Sequence, residues 1–359
     1  MNRIIPHSKP TLGKEEELAV AEVIRSGNIA QGEKVAEFEQ AVAGYIGRKY
    51  AVAVSSGSAA LHLSLLSLDH PVWSQVLIPS YTCKALYYAV LCAKAYVSLM
   101  DENESFGTSR PGARTVAIIP HTFGFANLNY KKVPDNVDLI EDCAAAIGGM
   151  HDGKMLGSFG KISVFSFYAT KMITTGEGGM ILMDDFQIAE KVRSLRDYTI
   201  DNIDDGFINL RFNYKMTDIV AAMGLCQLKK LDSFVDRRWN LSGLYQELLM
   251  YRIDVIPYPL IYDAYHGDCP AFHRYIVRLT DHNPTQVIIK MKARGIMCGY
   301  GIRRPLHRIM DLDPKDFPKA EKLANEVVSL PLYPSLTEDD VKYIVKNFLE
   351  VLDALLFKR

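Results

Sequence analysis

Over the first half of the chain, short apolar runs alternate with longer stretches whose apolar positions recur every three or four residues. The runs are AVAV (51–54), VLIP (76–79), AYVSLM (95–100), VAIIP (116–120), VDLIED (137–142), ISVFSF (162–167) and GMILMD (179–184). Each has the length and composition of a buried strand. Helical spacing marks KEEELAVAEVIR (14–25) and EKVAEFEQAVAGYI (33–46), separated by SGNIAQG, a turn by composition. It also marks Ala59–Ser67 and residues 84–93. Strands that alternate with helices predict an α/β fold with a mostly parallel sheet covered by helices on both faces. After about residue 186 the pattern changes. A long helix is expected from about Thr217, its cap, to about Tyr251. Strands follow at 272–279 and 296–301, and helices at 284–294, 318–329 and 337–355, with 256–273 a loop. These segments predict a large domain over 1–235 and a smaller α+β domain over 236–359.

In a parallel sheet, ligands bind outside the carboxyl ends of the strands. The residues expected there are Ser55–Ser58, Pro79–Cys83, His121, Glu141, Asp142 and Ser166–Lys171. Ser55-Ser56-Gly57-Ser58 stands between a strand and a helix, where free N–H groups and the helix dipole suit a phosphate. The plainer alternative is that Ser56 or Ser58 caps the helix. Asp142 ends an apolar strand and precedes Cys143 and three alanines, so its carboxylate needs a partner from elsewhere. A protonated pyridine nitrogen would serve, and so would the amides of a following helix. Lys171 lies in FSFYATKMITTGEGG (165–179), between a buried run and a Thr/Gly turn, at the edge of a core. Together these residues suggest a lysine holding pyridoxal phosphate as a Schiff base.

Composition narrows the alternatives. The 359 residues are 48% hydrophobic and 23% charged with net charge -1, which gives no electrostatic reason to expect nucleic acid or an anionic membrane as partner. No run is long enough to span a bilayer. The six cysteines are scattered without a CxxC pair, so neither a zinc site nor a disulfide framework is indicated, and a reducing cytoplasm is the expected location. GGMHDGK (148–154) imitates half of a phosphate loop, but Met155 stands where Ser or Thr should bind magnesium. Asp152-Gly153 reads instead as a hairpin turn. No GxGxxG follows a strand and no HExxH occurs, so no nicotinamide or metal site is expected.

Taken together, the motifs resemble the DegT/DnrJ/StrS family of sugar aminotransferases, of the aspartate-aminotransferase fold (PLP fold type I). The resemblance runs through SGNIAQGEKVAEFE, AVAVSSGSAALHL, IPSYT, PHTFG, LIEDCAAAIGG, FSFYATKMITTGEGG, FNYKMTDIVAAMGLCQLKKLD, IMCGYGIRRPLH and LPLYPSLTEDDV. It implies that Lys171 carries the cofactor and that Asp142 pairs with its ring nitrogen while Ala144 packs on one ring face. It implies phosphate contacts from Gly57, Ser58 and Ser166. Asn213 would reach the phosphate of the neighbouring subunit in a homodimer with shared sites. Three positions depart from the family pattern: Ala145 replaces Gln or His, Cys83 replaces a stacking Trp or Phe, and Lys215 replaces Arg. The implied activity is transfer of an amino group from glutamate to a keto group of a nucleotide-linked deoxysugar. The competing readings are a regulatory or sugar-binding protein on a degenerate aminotransferase fold, and a PLP-dependent sugar dehydratase. A dehydrating branch of the family carries His in place of the lysine, and Lys171 argues against it. Substrate contacts are expected in loops 201–211, 256–273 and 299–308, with Arg303 and His307 as candidates for sugar or diphosphate.

Overall fold

The computed structural model describes residues 3–68, 74–101, 115–198, 211–258 and 268–356, so most of the 201–211 loop and residues 259–267 lie outside the described residues. Helices α1 (Lys14–Ser26) and α2 (Glu33–Ile46) precede β1 (Tyr50–Val54), α3 (Gly57–Ser67), β2 (Gln75–Pro79) and α4 (Lys84–Cys92). Strands β3 (Tyr96–Met100), β4 (Thr115–Pro120) and β5 (Val137–Asp142) lead to a small hairpin of β6 (Met150–His151) and β7 (Lys154–Met155). Then come β8 (Ile162–Ser166), β9 (Gly179–Met183), α5 (Phe186–Arg196) and the long α6 (Asp218–Leu249). The C-terminal part holds β10 (Val255–Pro257), β11 (Tyr275–Leu279), α7 (Pro284–Ala293), β12 (Gly299–Tyr300) and α8 (Leu306–Ile309). It ends with α9 (Pro318–Glu326), β13 (Val327–Leu330) and α10 (Glu338–Leu356).

The central sheet has the order β1-β9-β8-β5-β4-β2-β3. Its neighbours pair in parallel except where β9 meets β1 and β8, so β9 alone runs against the others. One consequence matters for the site: the carboxyl ends of β1, β2, β4, β5 and β8 and the amino end of β9 share one edge. The strands read as continuous apolar runs because both faces are covered. Every residue of β4, β8 and β9 is buried. Helix α3 is apolar nearly all round, and it is buried along most of its length against β8 and β9. On the other face α2 and α6 pack together, and the first residue of α6 completes α2. The Asp218 carboxylate accepts from the amides of Gly32, Lys34 and Val35 at 2.8, 3.2 and 3.0 Å, taking the place of the cap that Gly32 lacks.

A second, antiparallel sheet, β10-β11-β13-β12, builds a separate core with α7, α9 and α10. Ile5 bridges to Ile296 and is buried in this second core, so the first residues of the chain pack with its C-terminal part.

Several expected elements differ: the strand expected at 272–279 begins at Tyr275, and the one expected at 296–301 spans only Gly299–Tyr300. Residues 327–329 leave the expected helix 318–329 and form β13, because β-branched Val327 and Val328 fill the middle of the small sheet. Residues 256 and 257 of the expected loop belong to β10, an edge strand, which is where a proline is tolerated. Thr217 occupies the N-cap position of α6, but its side chain makes no cap hydrogen bond. The Asp152-Gly153 turn closes the β6–β7 hairpin with φ of 48° and 70°, the left-handed pair that this turn requires. No described helix is long and apolar enough to cross a membrane.

Candidate active site

The shared edge of the central sheet opens into a cavity of about 430 Å³. Its walls come from the loops that follow β1 (Ser56–Ser58), β2 (Thr82, Cys83), β4 (His121–Phe123), β5 (Asp142, Ala144, Ala145) and β8 (Ser166, Tyr168, Lys171). Glu177 precedes β9, and His273, Arg274, Gly301 and Ile302 come from the small sheet's side. Of the residues expected to converge there, Ser56–Ser58, Thr82, Cys83, His121, Asp142, Ser166 and Lys171 line the cavity, whereas Glu141 does not.

Lys171 sits on a loop that doubles back on itself. Tyr168 bridges Gly176, and Thr175 N–H donates to Phe167 O at 2.9 Å. Buried Thr174 donates its hydroxyl to Phe167 O at 3.2 Å and accepts from Gly176 N–H at 2.9 Å. The threonines of this segment thus replace a regular backbone ladder. His273 ties the loop to the small sheet. Its Nε2–H donates to Thr170 O at 2.9 Å, next to Lys171. Burial and then the Arg274 guanidinium hold His273 well below the ordinary histidine range, so its ring is neutral. Burial also lowers the Lys171 pKa, opposed by Asp142 and Cys83 and assisted by Arg274.

Glu141 and Asp142 are consecutive on β5, so their side chains leave opposite faces of the sheet. Glu141 is fully buried, and its carboxylate accepts from the amides of Gly157, Phe159 and Gly160 at 2.9, 2.7 and 2.5 Å. It also accepts from His121 Nε2 at 3.0 Å. Asn127 N–H donates to His121 Nδ1, so the ring proton must sit on Nε2, pointing at Glu141. Burial would raise the Glu141 pKa, but the His121 hydrogen bond and the amides outweigh it and the carboxyl is held low. Asp142 differs. One of its oxygens accepts from Ala144 N–H at 3.0 Å, a local turn rather than a helix cap. Burial raises its pKa against the pull of that amide and of Lys171.

At the other wall, Ser56 is the helix cap, accepting from Ala59 N–H at 3.1 Å. That leaves the Gly57 and Ser58 amides and the Ser58 hydroxyl at the cavity. A Cβ at Gly57 would lie 2.8 Å from Ser166 Cβ, and one at Gly179 would lie 2.4 Å from Ser56 O. These two glycines let the loop after β1, the end of β8 and the start of β9 close to one small cradle. Cys83 is exposed, heads α4 and lines the cavity. Among the described residues the aromatic rings lining the cavity are instead His121, Phe123, Tyr168 and His273.

Other expected site residues are placed differently. His307 is fully buried, with Nδ1 at 2.6 Å from Ser80 Oγ and Nε2 at 2.6 Å from Glu321, and it stacks on Phe317. It packs α8 against α9 and does not line the cavity, so the candidate substrate role is replaced by a packing one. Asn213 is exposed and pairs with Asp197 away from its own chain's cavity. Arg303 lies over the Tyr300 ring and lines an adjoining depression of about 360 Å³ with Lys84 and Arg304. That depression shares Thr82, Cys83, Gly301 and Ile302 with the main cavity. His273 and Arg274 fall inside the strand expected at 272–279 and carry no mark of a site there, but β11 begins only at Tyr275, so both lie in the segment that leads into it.

A family description, DegT/DnrJ/EryC1/StrS aminotransferase, matches residues 10–349. The chain belongs to this family. It is 32% identical to the uncharacterized protein MJ1066 of Methanocaldococcus jannaschii over 97% of each chain. It is 30% identical to the spore coat polysaccharide biosynthesis protein SpsC of Bacillus subtilis over 98% of each. Helicobacter pylori PseC, an aminotransferase involved in the biosynthesis of pseudoaminic acid, has the same fold. Its TM-score is 0.87 at 22% identity, covering 98% of this chain and 100% of that one. As a member of the DegT/DnrJ/EryC1/StrS family, the protein is an aminotransferase dependent on pyridoxal phosphate. The site fits that cofactor. A glycine-walled cradle at a helix N-terminus matches a phosphate, and a half-satisfied buried carboxylate matches a ring nitrogen. Lys171 makes no ion pair among the described residues and is available for attachment.

Proposed function

We propose that the protein moves an amino group from an amino acid, glutamate by resemblance, to a keto group of a nucleotide-linked deoxysugar. The observation that carries this reading is that Lys171 and Asp142 line one cavity together with the Gly57, Ser58 and Ser166 cradle. Pyridoxal phosphate, when bound, supplies a carbonyl for amine exchange and a ring that withdraws electrons. In this reading Lys171 holds the cofactor through Nζ. Once released, Nζ takes the proton from the donor's α-carbon and later returns one to the acceptor. Burial supports that role by favouring the free amine. Asp142 keeps the ring nitrogen protonated, and Gly57, Ser58 and Ser166 orient the phosphate. Ala144 packs against one ring face, and Cys83 faces the ring without stacking on it.

Arg303, with Arg304 and Lys84 at the mouth, would receive the diphosphate of the nucleotide sugar. Asn213 would reach the partner's site in a homodimer. The chain would divide into domains at about 235 and 236, within α6, with the cavity between them. Incubation with glutamate and a panel of nucleotide-linked keto sugars tests the proposal. Release of 2-oxoglutarate that depends on the keto sugar supports it, whereas sugar binding without release identifies a binding protein. Loss of water from the sugar without amine transfer identifies a dehydratase.

A further inference from the structure

Among the described residues, Arg274 is the one guanidinium that lines the cavity, and it makes no hydrogen bond or ion pair with any of them. Burial depresses its pKa and no carboxylate offsets that. Among the described residues the acids lining the cavity are Asp142 and Glu177, and neither is paired with it. Of the cations near it, Arg238 is committed to backbone carbonyls and Lys171 is the amine that would hold the cofactor. A largely buried charge with no partner among the described residues is costly, and an anionic ligand would offset that cost.

The backbone beneath Arg274 is built to aim it. Phe272 has φ of 48°, a left-handed conformation unusual for a bulky residue. Arg238, fully buried on α6, donates to the carbonyls of Phe272, His273 and Leu332 at 3.3, 3.1 and 3.0 Å. Ala271 N–H donates to Gly124 O at 2.9 Å, and His273 is fixed to Thr170. A Cβ at Gly124 would lie 2.8 Å from His273 N, so this contact leaves no slack. Three independent ties therefore hold the short segment from which Arg274 lines the cavity.

We propose that Arg274 grips a carboxylate carried by one of the two substrates, either the amino donor or an acidic keto sugar. The proposal rests on the aminotransferase reading and specifies its substrate class. The planar guanidinium offers two parallel N–H groups that match a carboxylate, and burial strengthens the pair.

The test uses the holoenzyme, Arg274→Met and Arg274→Lys. Calorimetry measures binding of glutarate, which imitates the donor, and of glucuronate, which imitates an acidic sugar, with glutaramide and glucose as neutral controls. In Arg274→Met, binding of one carboxylate falls roughly ten- to a hundredfold and the neutral controls do not change. Arg274→Lys falls between the two. Which carboxylate is lost tells the source. The melting temperature of Arg274→Met stays level or rises, since no internal bond is removed. Unchanged binding of both carboxylates in Arg274→Met, or a parent that binds neither, overturns the proposal. So does a parallel loss of pyridoxal phosphate affinity, which would make Arg274 a cofactor ligand, or a lowered melting temperature, which would make it structural. Borohydride labelling of Lys171 in the parent is scored separately. If labelling fails while the Arg274-dependent carboxylate binding holds, the aminotransferase reading falls and the anion site stands.

Discussion

At Lys171 the needs of function and of stability pull apart. The amine has to sit in a cavity where its proton is held weakly, and that burial costs the empty fold. Because its folded pKa is lowered, the unfolded chain binds the extra proton more tightly. The cofactor-free protein therefore gains stability as pH rises from the lowered value toward the ordinary lysine range. Lys171→Met should raise the melting temperature of the cofactor-free protein at pH 7 and flatten its rise as pH approaches the ordinary lysine range. The same variant should lose borohydride labelling and lower amine transfer by roughly a thousandfold or more. A colourless variant with full transfer would contradict the assignment. Asp142→Asn should keep the labelling yet slow transfer by roughly a hundred- to a thousandfold, because the ring nitrogen loses its anionic partner. Lys171 was legible because FSFYATKMITTGEGG places a charged residue where a core ends. Arg274 was not, since its burial depends on Arg238, 36 positions earlier, and on Gly124, far away in sequence.

At the scale of elements, β5 shows how one strand end serves two purposes. Alternation sends Glu141 into the packing below the sheet and Asp142 to the cavity. The Glu141 carboxylate gathers three amides of the 157–160 turn and the His121 ring, so it fixes the loops after β4 and before β8 together. Glu141→Gln replaces a charged acceptor with a group whose NH₂ faces donors, and should destabilise the fold by about 2 kcal/mol or more. The acid behaviour should change as well. A carboxyl held low contributes stability that is fully present above its unfolded pKa and lost as pH falls through the lower folded value. Chemical denaturation from pH 7 down to pH 3 should therefore show a shallower loss in Glu141→Gln than in the parent. The central strands were legible because parallel strands buried on both faces are unbroken apolar runs. In the small sheet, β13 follows α9 with no breaker between Glu326 and Val327, so the periodicity ran on and hid the boundary. His307 misled for a related reason. Its exposure is set by Ser80 and Glu321 on other elements, and nothing in its neighbours along the chain records that.

For the whole molecule, the cavity draws on two sheets whose cores are separate, with α6 and the Arg238 clamp joining them. It has no contribution from Asn213, which is exposed on the same chain. In the proposed arrangement, where Asn213 completes the partner's site, each site takes its lysine from one subunit and its asparagine from the other. Complementation then gives a result that no single-chain site can give. Lys171→Ala and Asn213→Ala subunits are each purified, mixed in equal amounts, dissociated and allowed to reassociate. In a mixed dimer one site carries both defects and the other carries none. With random pairing, half the dimers are mixed and each has one intact site, so the mixture should recover about a quarter of the parent's transfer activity. If Asn213 acts within its own chain, the mixed dimer instead has one defect in each site and recovers nothing beyond the average of the two variants. Recovery therefore requires both a dimer and an exchange of residues across it, and its absence would return Asn213 to the surface of its own subunit.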